Sequence, residues 1–325
     1  MRLTFDTIVE ARERIRDSIF HTPLIRSDSL SRRTDADVYL KLEMTQQIGA
    51  FKIRGASNRI ALLDPGECPG VVTVSTGNHG RAVAAAAANA GLRAVVCMSA
   101  LVPDNKRRLV ETLGAEVRIV GRSQDEAEVE ANRLVADEKM VMVHPFDDPQ
   151  IMAGQGTIGL EILDDLPTVD MVMAGLSGGG LLGGIAVAVK AVNPKAQMIG
   201  ISMCRGPAMI RSLELGHPVE IAEEPSLADS LGGGIGLDNQ YSFDIVKRFV
   251  DDTVLLSEAE IADGMRHLYF EEALVAEGAG AVGVAALLHD KLTVRGRTVV
   301  LVVSGRNVDM REFTRVIHEK TNREG

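Results

Sequence analysis

Short runs of β-branched and methionine residues alternate along the chain with longer Ala-, Leu- and Glu-rich stretches whose apolar positions recur at helical spacing. The strand-like runs are "VVTVS" (71–75), "RAVVCM" (93–98), "EVRIV" (116–120), "VDMVMA" (169–174), "AQMIGISM" (196–203) and "TVVLVV" (298–303). Each of the first five precedes a candidate helix, and repeated strand–helix units imply right-handed crossovers and parallel sheets covered by helices on both faces. The fold class expected is α/β. One uncharged run, Met171 to Val189, has the length of a membrane span, but its clustered glycines predict a buried strand, a loop and a buried helix instead.

No repeat of fixed period and no low-complexity linker divides the chain. The segment 70–146 carries several strand–helix units of its own, which predicts a small domain inserted into a larger one built from residues 1–69 and 147–325. "EPSLADSLGGGIG" (224–236) reads as a long glycine-rich loop, a feature often tied to function.

Composition narrows the class. The 325 residues leave room for two domains, and 46% of them are apolar. A formal net charge of −10 argues against nucleic acid or an anionic membrane as partner. Cys68, Cys97 and Cys204 form no CxxC pair and have no His at metal-ligand spacing, which suggests a reducing compartment. The first twenty residues mix acids and bases without an apolar core, so no secretory signal is expected and the cytoplasm is the expected address.

Four segments carry candidate chemistry. "GAFKIRG" (49–55) sets Lys52 between an aromatic ring and an arginine, in a stretch that otherwise reads as buried. A desolvated lysine has a depressed pKa and a nucleophilic neutral amine; a lysine that reaches solvent at a helix start has neither. "AGLSGGGLLGG" (174–184) follows a strand and precedes an apolar helix, so its backbone N–H groups converge on a potential anion site. Close helix-to-sheet packing through glycines is the structural alternative. The dinucleotide pattern fits this loop only through glycine density, and the acidic residue that would hold a ribose is missing. "STGNHGRA" (75–82) offers Ser75, Thr76 and Asn78 at a helix start, as a carboxylate cradle or as ordinary caps. "VVSGRNVD" (302–309) ends a buried strand in Ser304, at the sheet edge where α/β proteins keep ligands.

A phosphate cradle, a carboxylate cradle, a hydroxyl at a strand end and a candidate nucleophilic lysine match the needs of pyridoxal 5'-phosphate bound to an amino acid. On "FKIRG", "STGNHGRA", "AGQGTIGLEI", "SGGGL" and "SGRN", the chain resembles the fold-type II pyridoxal-phosphate enzymes, specifically the threonine dehydratase and serine racemase group. The resemblance implies two parallel-sheet α/β domains of the tryptophan synthase β type with the cofactor between them, and a homodimer. It implies that Lys52 holds the cofactor as a Schiff base and moves the Cα proton, and that Phe51 packs beside the ring. Asn78 would meet the ring hydroxyl, and Ser304 the pyridine nitrogen. Ser177, Gly178, Gly179, Gly180 and Leu181 would line the phosphate, and Ser75, Thr76, Gly77, Asn78 and His79 would hold the substrate.

Departures from the family pattern refine the expectation. In serine racemases the position of Thr76 is a serine that protonates the opposite face of Cα. Threonine keeps that hydroxyl, which makes Thr76 the second catalytic candidate beside Lys52, but restricts its rotamers, so dehydration is expected over racemisation. "CRGPAMI" (204–210) lacks the acidic metal site of that group, so no divalent cation is expected there. No C-terminal regulatory domain follows "FTRVIHEK", so feedback control of the allosteric kind is not expected. Arg81 and Arg306 stand where glutamine and glycine are usual, and predict either a substrate with more negative charge or polar bulk than threonine, or two arginines that point to solvent or pair with nearby acids. Further segments, "VCMSALVPDNK" among them, resemble dehydratases of hydroxyectoine utilisation. The activity expected is loss of water from a β-hydroxy-α-amino acid, with 3-hydroxyaspartate, threonine or serine as alternative substrates. A racemase, a synthase of the O-acetylserine sulfhydrylase kind, a nicotinamide oxidoreductase and a non-catalytic binding protein are the rival readings.

Overall fold

The computed structural model describes residues 2–75, 77–102 and 104–319. Its strands are β1 (Leu24–Arg26), β2 (Asp37–Lys41), β3 (Val71–Val74), β4 (Ala94–Met98), β5 (Glu116–Ile119), β6 (Val141–Met142), β7 (Met171–Gly175), β8 (Gln197–Met203), β9 (Asp252–Leu256) and β10 (Thr298–Val302). The helices are α1 (Phe5–Ile15), α2 (Asp28–Thr34), α3 (Lys52–Ile60), α4 (Asn78–Asn89), α5 (Asp104–Thr112), α6 (Gln124–Glu138), α7 (Pro149–Asp165), α8 (Gly180–Val192), α9 (Ala208–Leu215), α10 (Ser242–Phe249), α11 (Glu258–Phe270), α12 (Gly278–Leu288) and α13 (Met310–His318).

The strands form two sheets, one of six in the order β1-β2-β10-β7-β8-β9 and one of four in the order β5-β4-β3-β6. Among the described strands only β1 and β2 pair antiparallel; the other strand pairs are parallel, as the strand–helix alternation predicts. All six strand-like runs of the sequence are strands, with ends shifted by at most two residues.

β10 shows why these runs are apolar throughout. Val299, Leu301 and Val303 face one buried cluster, with Met173, Ile201 and Val282, while Val300 and Val302 face another, with Val172, Leu182 and Ile185. Helices cover both faces, so each side chain along the strand leaves water, worth about 1.5–3 kcal/mol per large aliphatic group. The run Met171 to Val189 divides into β7 and the first part of α8. Among the described residues no helix is long and apolar enough to cross a membrane.

The four-stranded sheet packs Val72, Val95 and Cys97 against Ala131 and Leu134 of α6. Its other face packs Val71, Val96 and Met98 against Ala82 and Val83 of α4 and against Ile53, Ala56 and Ile60 of α3. Helix α3 also touches α7 backbone to backbone: a methyl at Gly154 would sit 2.5 Å from the Arg54 carbonyl oxygen and 2.6 Å from Gly55 Cα. Gly154 of "AGQGTIGLEI" thus brings α7 directly against α3, the helix that begins with Lys52, while Gly156 and Gly159 bring it against the backbone of α8 at Gly184 and Ile185.

Candidate active site

Three strand ends feed the site. After β3, Ser75 accepts the Gly77 N–H at 3.3 Å, and α4 starts at Asn78 with Gly77 as N-cap and no side-chain capping bond. After β7, the chain passes Ser177 and Gly178 to Gly179, whose φ of +84° lies in the left-handed region that favours glycine, and α8 starts at Gly180, again with no side-chain cap. Among the described residues no capping side chain occupies the first-turn N–H groups of either helix, which lie at the positive ends of their dipoles. After β10 comes Ser304, a buried residue whose carbonyl accepts the Phe51 N–H at 3.1 Å. Thr76 lies outside the described residues.

Lys52 is the first residue of α3, and its Nζ donates to the Pro145 carbonyl at 2.6 Å. The ammonium stands 5.4 Å from the centre of the Phe51 ring. As a residue Lys52 keeps some exposure, but its amino end is enclosed, and burial lowers its pKa to about 8. Roughly one amine in ten is then neutral at pH 7, against fewer than one in a thousand for an ordinary lysine. The lysine is therefore not the solvent-reaching residue that a helix start alone permits.

Residues 143–148 form a strap across this amine. His79 Nε2 donates to the Val143 carbonyl at 2.9 Å, and burial, aided by the Lys52 charge, lowers the His79 pKa to about 3. His79 is thus neutral and tied to the strap. His144 Nδ1 accepts the Asp147 N–H at 2.7 Å, and burial lowers its pKa too. Next to Pro145, Phe146 lies on the glycine loop: a methyl at Gly178 would overlap its ring, and one at Gly180 would sit 3.0 Å from its Cα. Asp147 accepts the consecutive N–H groups of Gln240, Tyr241 and Ser242 at 2.8, 2.9 and 2.7 Å, fastening the start of α10. Ser242 and Val246 of α10 in turn face Gly179. The strap thereby links Lys52 to the cradle at the head of α8, where Leu181 is buried.

Asn78 belongs to a second cluster. Its Nδ2 donates to Glu277 Oε1 at 2.9 Å, and its Oδ1 accepts from Asn307 Nδ2 at 2.6 Å. Glu277 is 5% exposed, and burial, helped by Asp229, raises its pKa to about 7. At the edge of this cluster Arg81 has a buried Nε with no hydrogen-bond partner among the described residues, and it lies close enough to Arg306 for the two charges to oppose each other.

Behind α3 a buried ionic cluster fixes the helix. Arg54 donates to Glu43 from Nε and Nη2, both at 2.8 Å, and to Glu161 from Nη1 at 2.6 Å and Nη2 at 2.9 Å. Lys41 Nζ donates to Glu161 at 2.6 Å. Two cations balance two anions, so none is left as an uncompensated buried charge.

Residues 15–305 match the family of pyridoxal-phosphate dependent enzymes. The chain belongs to that family. A protein of Sinorhizobium fredii named "Putative threonine dehydratase" is 53% identical to this pyridoxal-phosphate enzyme over 97% of the chain and 96% of that protein. The L-threonine ammonia-lyase of Thermotoga maritima is 42% identical over 98% of the chain and 79% of its own length. Among solved structures, maize serine racemase superposes with a TM-score of 0.91 at 31% identity, covering 97% of both chains. The processed form of threonine deaminase isoform 2 from Solanum lycopersicum gives 0.90 at 30% identity, covering 97% of this chain and 94% of that one.

Pyridoxal phosphate is thus the cofactor, and the residues fit it. The uncapped head of α8 with its glycine cradle suits a phosphate dianion, and the buried amine of Lys52 suits an aldehyde. The cofactor supplies an electron sink for charge left at a substrate carbon. The enzyme is a lyase of the threonine dehydratase and ammonia-lyase kind. Sequence reasoning missed Glu277, the 143–148 strap and the ionic cluster, because each acquires its partners from distant parts of the chain.

Proposed function

We propose that the enzyme removes water from a β-hydroxy-α-amino acid. Elimination yields an enamine and water; the enamine tautomerises to an imine, whose hydrolysis gives a 2-keto acid and ammonia. The observation that carries this reading is the enclosed amine of Lys52, with its pKa lowered to about 8, on a strap that also packs against the α8 glycine loop. Lys52 takes the Cα proton, Asn78 and Ser304 orient the cofactor ring, and Phe51 packs against it. Ser177, Gly178, Gly179, Gly180 and Leu181 hold the phosphate. The loop Ser75, Thr76, Gly77, Asn78 and His79 receives the substrate carboxylate at the uncapped head of α4, with His79 acting through the strap it is bonded to. The reading includes a cytoplasmic homodimer whose small domain, 70–146, is inserted in a larger one, 1–69 and 147–325.

The names of the relatives favour threonine as substrate, with serine as its smaller β-hydroxy analogue. Arg81, with its unpartnered Nε beside Arg306, favours a more acidic or polar one, such as 3-hydroxyaspartate or a hydroxylated diaminobutyrate from hydroxyectoine breakdown. Incubation with threonine, serine, both 3-hydroxyaspartates and hydroxylated diaminobutyrates, with keto acid and ammonia measured, decides between them. Threonine turned over as fast as any other removes the acidic reading. Failure of all of them to give keto acid and ammonia removes the dehydratase reading.

A further inference from the structure

Glu277 sits where four separate segments meet. It precedes α12 as its N-cap, but makes no capping bond with its side chain. Instead its Oε1 accepts from Asn78 Nδ2 at 2.9 Å and from Ser230 Oγ at 3.3 Å, and its Oε2 accepts the Asn307 N–H at 3.0 Å and a longer contact from Asn78 at 3.3 Å. Gly305 makes the space, since a methyl there would lie 2.6 Å from Oε1. Ser230 brings in the glycine-rich loop after α9, which the strand ends alone do not explain.

The network determines which way round Asn78 stands. Asn307 Nδ2 donates to the Ile48 carbonyl at 2.9 Å and to Asn78 Oδ1 at 2.6 Å, so its two hydrogens face two acceptors. The Asn78 oxygen therefore faces Asn307, and its NH2 faces Glu277, which in its ionised form accepts only. Both Asn78 contacts go to the one Glu277 carboxyl group, at 2.9 and 3.3 Å, so a single N–H can serve both and leave the second for a ligand.

We propose that Glu277 is a positioning residue for the cofactor: it locks the Asn78 amide so that an N–H is offered to the oxygen substituent of the cofactor ring. The inference rests on the reading of Lys52 and Asn78 given above. Charges facing Glu277 are Asp229, whose own neighbour Lys106 stands 3.7 Å away, and Arg81, with Arg306 behind it. Glutamine at 277 keeps the size but presents its own NH2, and the Asn78 amide then loses its fixed orientation.

The test uses holoenzyme and apoprotein. In holoenzyme, the pH at which the visible band of the bound cofactor switches is measured for wild type, E277Q, N78A and the double variant. E277Q is expected to move the switch by about one pH unit, and E277Q added to N78A is expected to move it no further, because one residue acts through the other. An unmoved switch in E277Q, or fully additive shifts, overturns the proposal. In apoprotein, the side-chain amide resonance of Asn78, identified by its loss in N78A, is expected to shift with pH in wild type and to lose that response in E277Q; an unchanged response also overturns it. Borohydride reduction of the same samples separates the two claims. An adduct on Lys52 in wild type and E277Q keeps the reading of the site whatever the switch does, whereas no adduct in wild type removes that reading and the cofactor role of Glu277 with it.

Discussion

Replacing Arg54 by methionine tests how the nucleophile is held. The guanidinium is fully buried and bridges Glu43 and Glu161 through four short bonds, and it also donates to Thr157 Oγ1 at 3.1 Å. In R54M the cluster passes from neutral to a net single negative charge. Glu43 keeps a donor from Thr22 Oγ1 at 2.6 Å, and Glu161 keeps Lys41. Removing one partner from a buried ionic cluster costs about 3–5 kcal/mol, far above the value of a surface pair. With an unfolding entropy of about 2.1 cal/mol/K per residue, a chain of this length loses about 6 °C of Tm for 4 kcal/mol. Thermal melts of wild type and R54M at pH 7 measure it. The pH dependence has a defined sign. Burial pushes the Glu161 pKa up, but Arg54 and Lys41 more than offset this and hold it below the usual value. A depressed carboxylate pKa gives stability that is present above the unfolded-state pKa and is lost as pH falls through the folded-state value. The gap between wild type and R54M should therefore be widest near neutrality and narrow in acid. A Tm loss below about 1.5 °C, about 1 kcal/mol on the same scale, refutes the reasoning.

Other outcomes follow from the same geometry. Capture of pyridoxal phosphate by apoprotein needs the neutral Lys52 amine, so its rate should rise about tenfold per pH unit below pH 8 and level off above it; stopped-flow absorbance checks this, and a flat profile from pH 6 to 9 contradicts it. G178A drives a methyl into the Phe146 ring and should weaken cofactor binding about 5- to 150-fold, the equivalent of 1–3 kcal/mol of overpacking, with part recovered in G178A/F146L. Titration of apoprotein with cofactor measures it, and an unchanged Kd contradicts it. D147A leaves three backbone N–H groups without their acceptor and should cost about 2 kcal/mol, read as a lower urea midpoint with new proteolytic cleavage within 224–242. Uncleaved D147A of wild-type stability speaks against the strap.

The long parallel strands were legible because burial on both faces makes them apolar throughout, as in β10. β2 was not, since Lys41 ends it with a charge, and what permits that charge is Glu161, far along the chain on α7. β1 and β6 have only three and two residues, too few to show a pattern. The candidate site divides in the same way. Glycine turns after β7 and β3 announce themselves locally, because the helix that follows is visible in the sequence. Whether Lys52 is enclosed depends on Pro145 and His79, which no local reading of "GAFKIRG" supplies. Glu277 in "VAEGAGA" looks like an ordinary helix cap, and only the meeting of Asn78, Ser230 and Asn307 around it makes it more. The sequence motif "AGQGTIGLEI" was legible as a family feature, while its physical use, close backbone contact of α7 with α3 and with α8, required the fold.

The central claim is that the Lys52 amine is the group that holds pyridoxal phosphate. Purified protein saturated with the cofactor, reduced with borohydride and digested should yield a single phosphopyridoxyl-modified peptide at Lys52, absent from K52A. Modification of another lysine, or none at all in the native protein, would contradict it.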